Sequence, residues 1–151
     1  MEIPSRRDEI AAGLSAVRQR LARASERAGR LSSSVRLVAV SKTRPAGDVR
    51  AAFEAGQADF GENRVQEALE KIAATADMPI TWHLVGHLQS NKARKAAESC
   101  AWIHSIDSVD VLKRVDAAAG DAGRSPELLV QVDLAGEATK HGAPADALMS
   151  L

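Results

Sequence analysis

The chain has 151 residues, 45% hydrophobic and 26% charged, enough for one domain, residues 1–151, with a core of its own. Twenty basic and twenty acidic side chains leave a formal charge of +0, which gives no global attraction to nucleic acid or to an anionic membrane. No apolar run approaches the ~20 residues of a membrane span, and Met1 to Ser5 leads into charge rather than a signal-peptide core, so a cytoplasmic protein is expected. The single cysteine, Cys100, excludes an internal disulfide framework, and the scattered histidines show no zinc-ligand spacing, so no metal site is expected.

Ser5-Arg6-Arg7-Asp8 has capping-box spacing, and Ile10, Leu14, Val17 and Leu21 follow with the period of an amphipathic helix that stops near Gly29. No strand precedes this helix, so it is expected to plug or flank a sheet. Val35 to Val40 reads as a buried strand that delivers Lys42 at its carboxyl end, with a helix starting at or near Pro45. Val49, Ala52 and Phe53 mark the apolar side of that helix, which ends at Gly56. A short strand, Ala58 to Phe60, then meets Gly61-Glu62-Asn63.

The next helix carries Val65, Leu69 and Ile72 on one face, and Pro79 separates it from a strand over Ile80 to Val85 that Gly86 ends. After a polar loop, Ser90 or Asn91 is a natural N-cap for a basic helix, Lys92 to Glu98. Trp102 to Ser105 reads as a fourth strand. Asp107 or Ser108 caps a helix with Val111, Leu112, Val115 and Ala119 inward, and Leu128 to Asp133 is a fifth strand.

Strand and helix thus alternate about five times, the pattern of parallel βα units. Sequential right-handed crossovers place the helices on one face and curl the sheet toward a barrel, so the expected class is α/β, a partial TIM-type (β/α) barrel preceded by a helix. A doubly wound sheet is the alternative, but it wants a glycine-rich phosphate loop after the first strand, where SKTRP has no glycine.

With Lys42 facing the interior, alternation sends Val38 and Val40 inward with it, and Leu37 and Ala39 toward the helices. Trp82 and Leu84 should pack outward, leaving Thr81, His83 and Val85 inside. Leu128, Val130 and Val132 go outward, leaving Gln131 and Asp133 near the upper end. Asn63, His83, Gln131 and Asp133 are therefore candidates to surround whatever Lys42 holds. Each also has a plain structural reading: a solvated lysine, a helix cap at Asn63, hydrogen-bonded interior groups for the rest. The basic stretch Asn91 to Lys95 has no aromatic interleaving and reads as a wet face rather than a phosphate contact.

VAVSKT around Lys42, FGENRVQEA from Phe60, WHLVGHLQSNKARK from Trp82, HSID from His104 and VQVDLAGEATKHG from Val130 together resemble the pyridoxal-phosphate homeostasis protein family, whose barrel is similar to that of bacterial alanine racemase. The resemblance implies pyridoxal phosphate held as a Schiff base on Lys42. It also implies Asn63, from FGEN, close to the cofactor, and His83, from WH, as a further cofactor-binding residue. An amine must be uncharged to attack an aldehyde, and burial among Val38 and Val40 would favour that form. Lys140 matches a family position where SKSG is common, and here the sequence reads TKHG.

Barrels of this kind need ~200 to 250 residues, so the chain is expected to be an incomplete domain lacking its last three βα units. In the family those units carry the loops that hold the cofactor phosphate. Three functions follow as alternatives: a carrier that holds pyridoxal phosphate and passes it to apo enzymes, a racemase-like enzyme, or a non-functional remnant. The absence of tyrosine, the residue alanine racemase uses to move a proton, weighs against the enzyme and assigns no catalytic residue.

Overall fold

The computed structural model describes residues 4–136 and 140–151; residues 1–3 of the Met1 to Ser5 stretch and 137–139 of the VQVDLAGEATKHG stretch lie outside them. Helix α1 (Arg6–Arg27) begins at the expected capping box, with the Ser5 hydroxyl accepting from the Asp8 amide and the Asp8 carboxylate accepting from the Ser5 amide. There follow β1 (Ala39–Val40), α2 (Ala46–Glu54), β2 (Asp59–Glu62), α3 (Val65–Ala74), β3 (Thr81–Leu84), α4 (Ala93–Ser99), β4 (Trp102–Ile106), α5 (Val109–Asp121) and β5 (Glu127–Val130). The five strands form one parallel sheet in sequential order, β1 to β5. A small ribbon pairs β6 (Val132–Asp133) with β7 (Ala143–Pro144).

The helices cover one face, as sequential right-handed crossovers require. Phe60 and Trp82 pack there with Val49 and Ala52 of α2, while Leu84 and Ile103 join Leu88, Ala96, Val111 and Val115 beneath α4 and α5. Leu128 packs on the same layer. Cys100 is buried in it, and burial pushes its thiol up to about 11, the behaviour of a small inert core residue. Helix α1 flanks rather than plugs the sheet: Ile10 and Leu14 pack against the cluster around Phe60, and Arg6 and Arg7 pair with Asp48 and Glu54 of α2. Val17, expected on the apolar stripe, is exposed instead.

The first strand is shorter than the expected Val35 to Val40. It lies at the edge and pairs with β2 alone, and below Ala39 the buried Gln57 side chain takes the place of ladder bonds, its Nε2 donating to Leu37 O and Asp59 O at 2.7 Å each. The expected cap at Ser90 or Asn91 is also displaced. Ser90–Lys92 forms a 3-10 turn that runs into α4 with Lys92 at the capping position and no side-chain cap.

Where β2 and β3 end, their chains nearly touch. A Cβ at Gly86 would stand 2.1 Å from Asn63 O and 2.6 Å from Asn63 Cα, which is backbone that cannot swing aside. Gly86→Ala should therefore part the ends of β2 and β3 and lower stability by about 3 kcal/mol, read from urea unfolding. A change below about 0.5 kcal/mol would show the contact to be soft.

Candidate functional site

Lys42 emerges where β1 ends. Val40 is in register with Gly61, so the pairing continued by two residues sets Lys42 level with Asn63 at the carboxyl end of β2. The missing side chain of Gly61 leaves room for Val38, Val40 and Val85, whose methyl groups lie 3.2, 3.4 and 3.3 Å from where its Cβ would be. These valines do share the inner face. That face is open along the β1 edge, however, so Val40 is 49% exposed and Lys42 is exposed too, contrary to the expected burial of its amine. Thr43 turns the chain with a φ of 63°, and α2 follows from Pro45.

The residue that anchors this turn is Ser41. Its amide donates to Gly61 O at 2.9 Å and its hydroxyl to Glu62 Oε1 at 2.6 Å. Glu62 is fully buried and is paired with Lys71 of α3, whose ammonium also donates to Ser41 O at 2.6 Å. Removing a carboxylate from water is costly unless a counter-charge and hydrogen bonds replace the solvent, and Lys71 and Ser41 do both for Oε1. Glu62 Oε2 is buried with no hydrogen-bond partner among the described residues. The peptide carrying Lys42 is thereby bolted to β2 and α3.

Asn63 follows Glu62 directly and is pressed against Gly86. Together with Arg64, Gln66, His87, Gln89 and Lys92 it lines an open cleft of about 430 Å³ at the same end of the sheet. The two basic side chains there suit an anionic or polar occupant.

His83 lies deeper on the inner face and is buried. Both of its ring nitrogens are occupied: Nε2 is 2.9 Å from Asp59 Oδ1 and Nδ1 is 2.9 Å from His104 Nε2. The carboxylate can only accept, so with neutral rings His104 donates to His83 and His83 donates to Asp59. The ring stacks on Trp102, centroids 5.8 Å apart, and the Arg36 guanidinium covers that indole at 5.2 Å and reaches Asp59 at 3.7 Å. Burial, and then the neighbouring His83, hold His104 below its ordinary value of 6.5. Gln131 and Asp133 serve local backbone instead: Gln131 Nε2 donates to His141 O, and Asp133 Oδ1 accepts from the Ala135 and Gly136 amides.

Residues 13–151 match the model of the alanine racemase N-terminal domain. The chain belongs to this family. Its relatives include the pyridoxal phosphate homeostasis protein of Pseudomonas aeruginosa, 46% identical over 91% of this chain and 60% of that protein, and that of Escherichia coli K12, 38% identical over 89% and 59%. PipY of Synechococcus elongatus, solved with pyridoxal phosphate bound, superposes with a TM-score of 0.80 at 48% identity, over 93% of this chain and 61% of PipY. Alanine racemase of Streptomyces lavendulae aligns with a TM-score of 0.61 at 27% identity, over 91% of this chain and 35% of the enzyme. The chain spans about three fifths of the length of the curated relatives it matches.

Within this alanine racemase N-terminal domain, the structure places Lys42 and Asn63 at the same end of the sheet, beside a Ser41–Glu62–Lys71 cluster that the sequence reading did not foresee. Lys71 carried a legible signal, since Val65, Ala68, Lys71 and Thr75 recur at helical spacing and all four are buried. A lysine on an apolar stripe calls for a buried counter-charge. His104, from the HSID motif, had no signal beyond strand alternation.

Lys71→Met should lower stability by about 3 kcal/mol by stranding the Glu62 charge, and adding Glu62→Gln should recover part of the loss; urea unfolding of both variants reads this. For His104, lowered in the folded state, the unfolded chain takes up the proton first as pH falls through 6.5, so stability is lost from there down to the lower folded value. His104→Asn should flatten the melting temperature across that window, and an unchanged slope would place the pH dependence elsewhere.

Proposed function

We propose that this chain binds pyridoxal phosphate through Lys42, with Asn63 beside it, and that it serves the cell as a carrier of that cofactor in the cytoplasm. The observation that carries the reading is the Ser41–Glu62–Lys71 network, which holds an otherwise exposed lysine at the carboxyl end of its strand, where barrels place their ligands. The bound pyridoxal phosphate of PipY, 48% identical to this chain, supports it.

The residues present fit the aldehyde end of the cofactor. Lys42 offers an amine that can reach it, and Asn63 offers donor and acceptor atoms at the same level of the sheet. When bound, the cofactor would supply an electrophilic aldehyde that forms a reversible Schiff base with an amine. The chain's part is to fix the backbone from which that amine projects. His83, with both nitrogens engaged by Asp59 and His104, acts in this reading as a support for the inner face rather than as a direct contact.

Trapping tests the proposal. Borohydride reduction of the chain mixed with stoichiometric pyridoxal phosphate should leave the cofactor on the peptide that contains Lys42, and Lys42→Ala should lose most of the label. The loaded and desalted chain should restore activity to an apo pyridoxal-phosphate enzyme, and Lys42→Ala taken through the same steps should not. Label spread evenly over surface lysines such as Lys95 and Lys113, and unchanged in Lys42→Ala, would overturn the reading.

A further inference from the structure

Three side chains that share no sequence spacing meet at the carboxyl end of the sheet. His87 follows β3, Asp107 follows β4, and His141 precedes β7. The His87 and His141 rings stack with centroids 3.6 Å apart and an 11° interplanar angle, and His87 Nδ1 lies 3.4 Å from Asp107 Oδ2. One nitrogen or oxygen from each of the three falls within 4.8 Å of the other two.

Each backbone is held independently of the others. Gly86, next to His87, is locked against Asn63. Asp107 sits between β4 and Ser108, which caps α5 through the Val111 amide. His141 O accepts from Gln131 Nε2 at 2.6 Å, the Ala143 amide donates to Gln131 O at 2.8 Å, and a Cβ at Gly142 would stand 2.7 Å from Asp133 N. The chain therefore fixes where the side chains start, and only rotation about them is left free.

We propose that His87, Asp107 and His141 bind one zinc ion. Two imidazoles and a carboxylate are ligands that zinc and its neighbours among divalent transition metals favour, whereas calcium and magnesium prefer an all-oxygen shell. Tetrahedral zinc with bonds near 2.0–2.1 Å wants ligand atoms about 3.4 Å apart, so the present spacing needs only side-chain rotation to close. Three protein ligands leave the fourth position for water or an anion. The ion ties the β6–β7 ribbon to the loops after β3 and β4. The site uses neither Lys42 nor Asn63, so it stands or falls apart from the cofactor reading.

The test uses the tag-free 151-residue chain, stripped with chelator and titrated with zinc chloride by calorimetry. Saturable binding of one zinc per chain is expected, with a higher melting temperature in zinc and no such response to magnesium. Cobalt should give visible ligand-field bands of a low-symmetry, few-coordinate site. His141→Ala and, from a different loop, His87→Gln should each weaken zinc binding more than about tenfold, with circular dichroism in the absence of metal confirming the fold of each variant. No saturable binding, or binding undiminished in whichever of the two variants folds, would overturn the proposal.

Discussion

The buried carboxylate of Glu62 is the constraint on which the rest of this end of the molecule depends. A charge with no access to water has to be matched, and Lys71 is the match, reaching from α3 to the tip of β2. The same ammonium and the same carboxylate hold Ser41 by its carbonyl and its hydroxyl. One strand end, the next strand and a helix are thus joined by a single polar cluster. An apolar contact of equal size would tolerate sliding, but donors and acceptors in a low-dielectric setting do not, because any displacement strands a charge. Lys42 inherits its position from that rigidity while its own side chain remains free in solvent.

The two faces of the sheet are built on different physics. Toward the helices, Phe60, Trp82, Leu84 and Ile103 bury apolar surface in the ordinary way. Toward the interior, Asp59, His83, His104, Trp102 and Arg36 form a chain of hydrogen bonds and ring contacts in which every polar atom of His83 is used. That arrangement holds the inner surface polar yet ordered. It also explains why a histidine in a motif next to the site serves the sheet: both nitrogens are spent before any ligand arrives.

Much of the fold was legible because parallel βα units write themselves into short-range pattern. Continuous apolar runs marked the strands, 3.6-residue stripes marked the helices, and the capping box at Ser5 marked the first turn of α1. Alternation along a strand then sorted Trp82 and Leu84 from His83. The errors fell where pattern is silent about neighbours. Val35 to Val38 has strand composition but lies beyond the reach of β2's ladder, where Gln57 bonds Leu37 instead. Val17 continues a helical stripe yet is left exposed.

The positions of Lys42 and Asn63 at the ends of their strands were readable from the sequence alone, because each follows an apolar run in a distinctive local motif. Depth and pairing were not. Whether Lys42 is buried depends on what lies beside β1, and β1 proved to be an edge. That His83 meets Asp59 and His104, and that the loops after β3 and β4 bring His87 to Asp107, are facts of register between strands. Only the tertiary structure decides them, because parallel pairing brings together residues some twenty or more positions apart, and nothing in the chain's local pattern encodes which of them will touch.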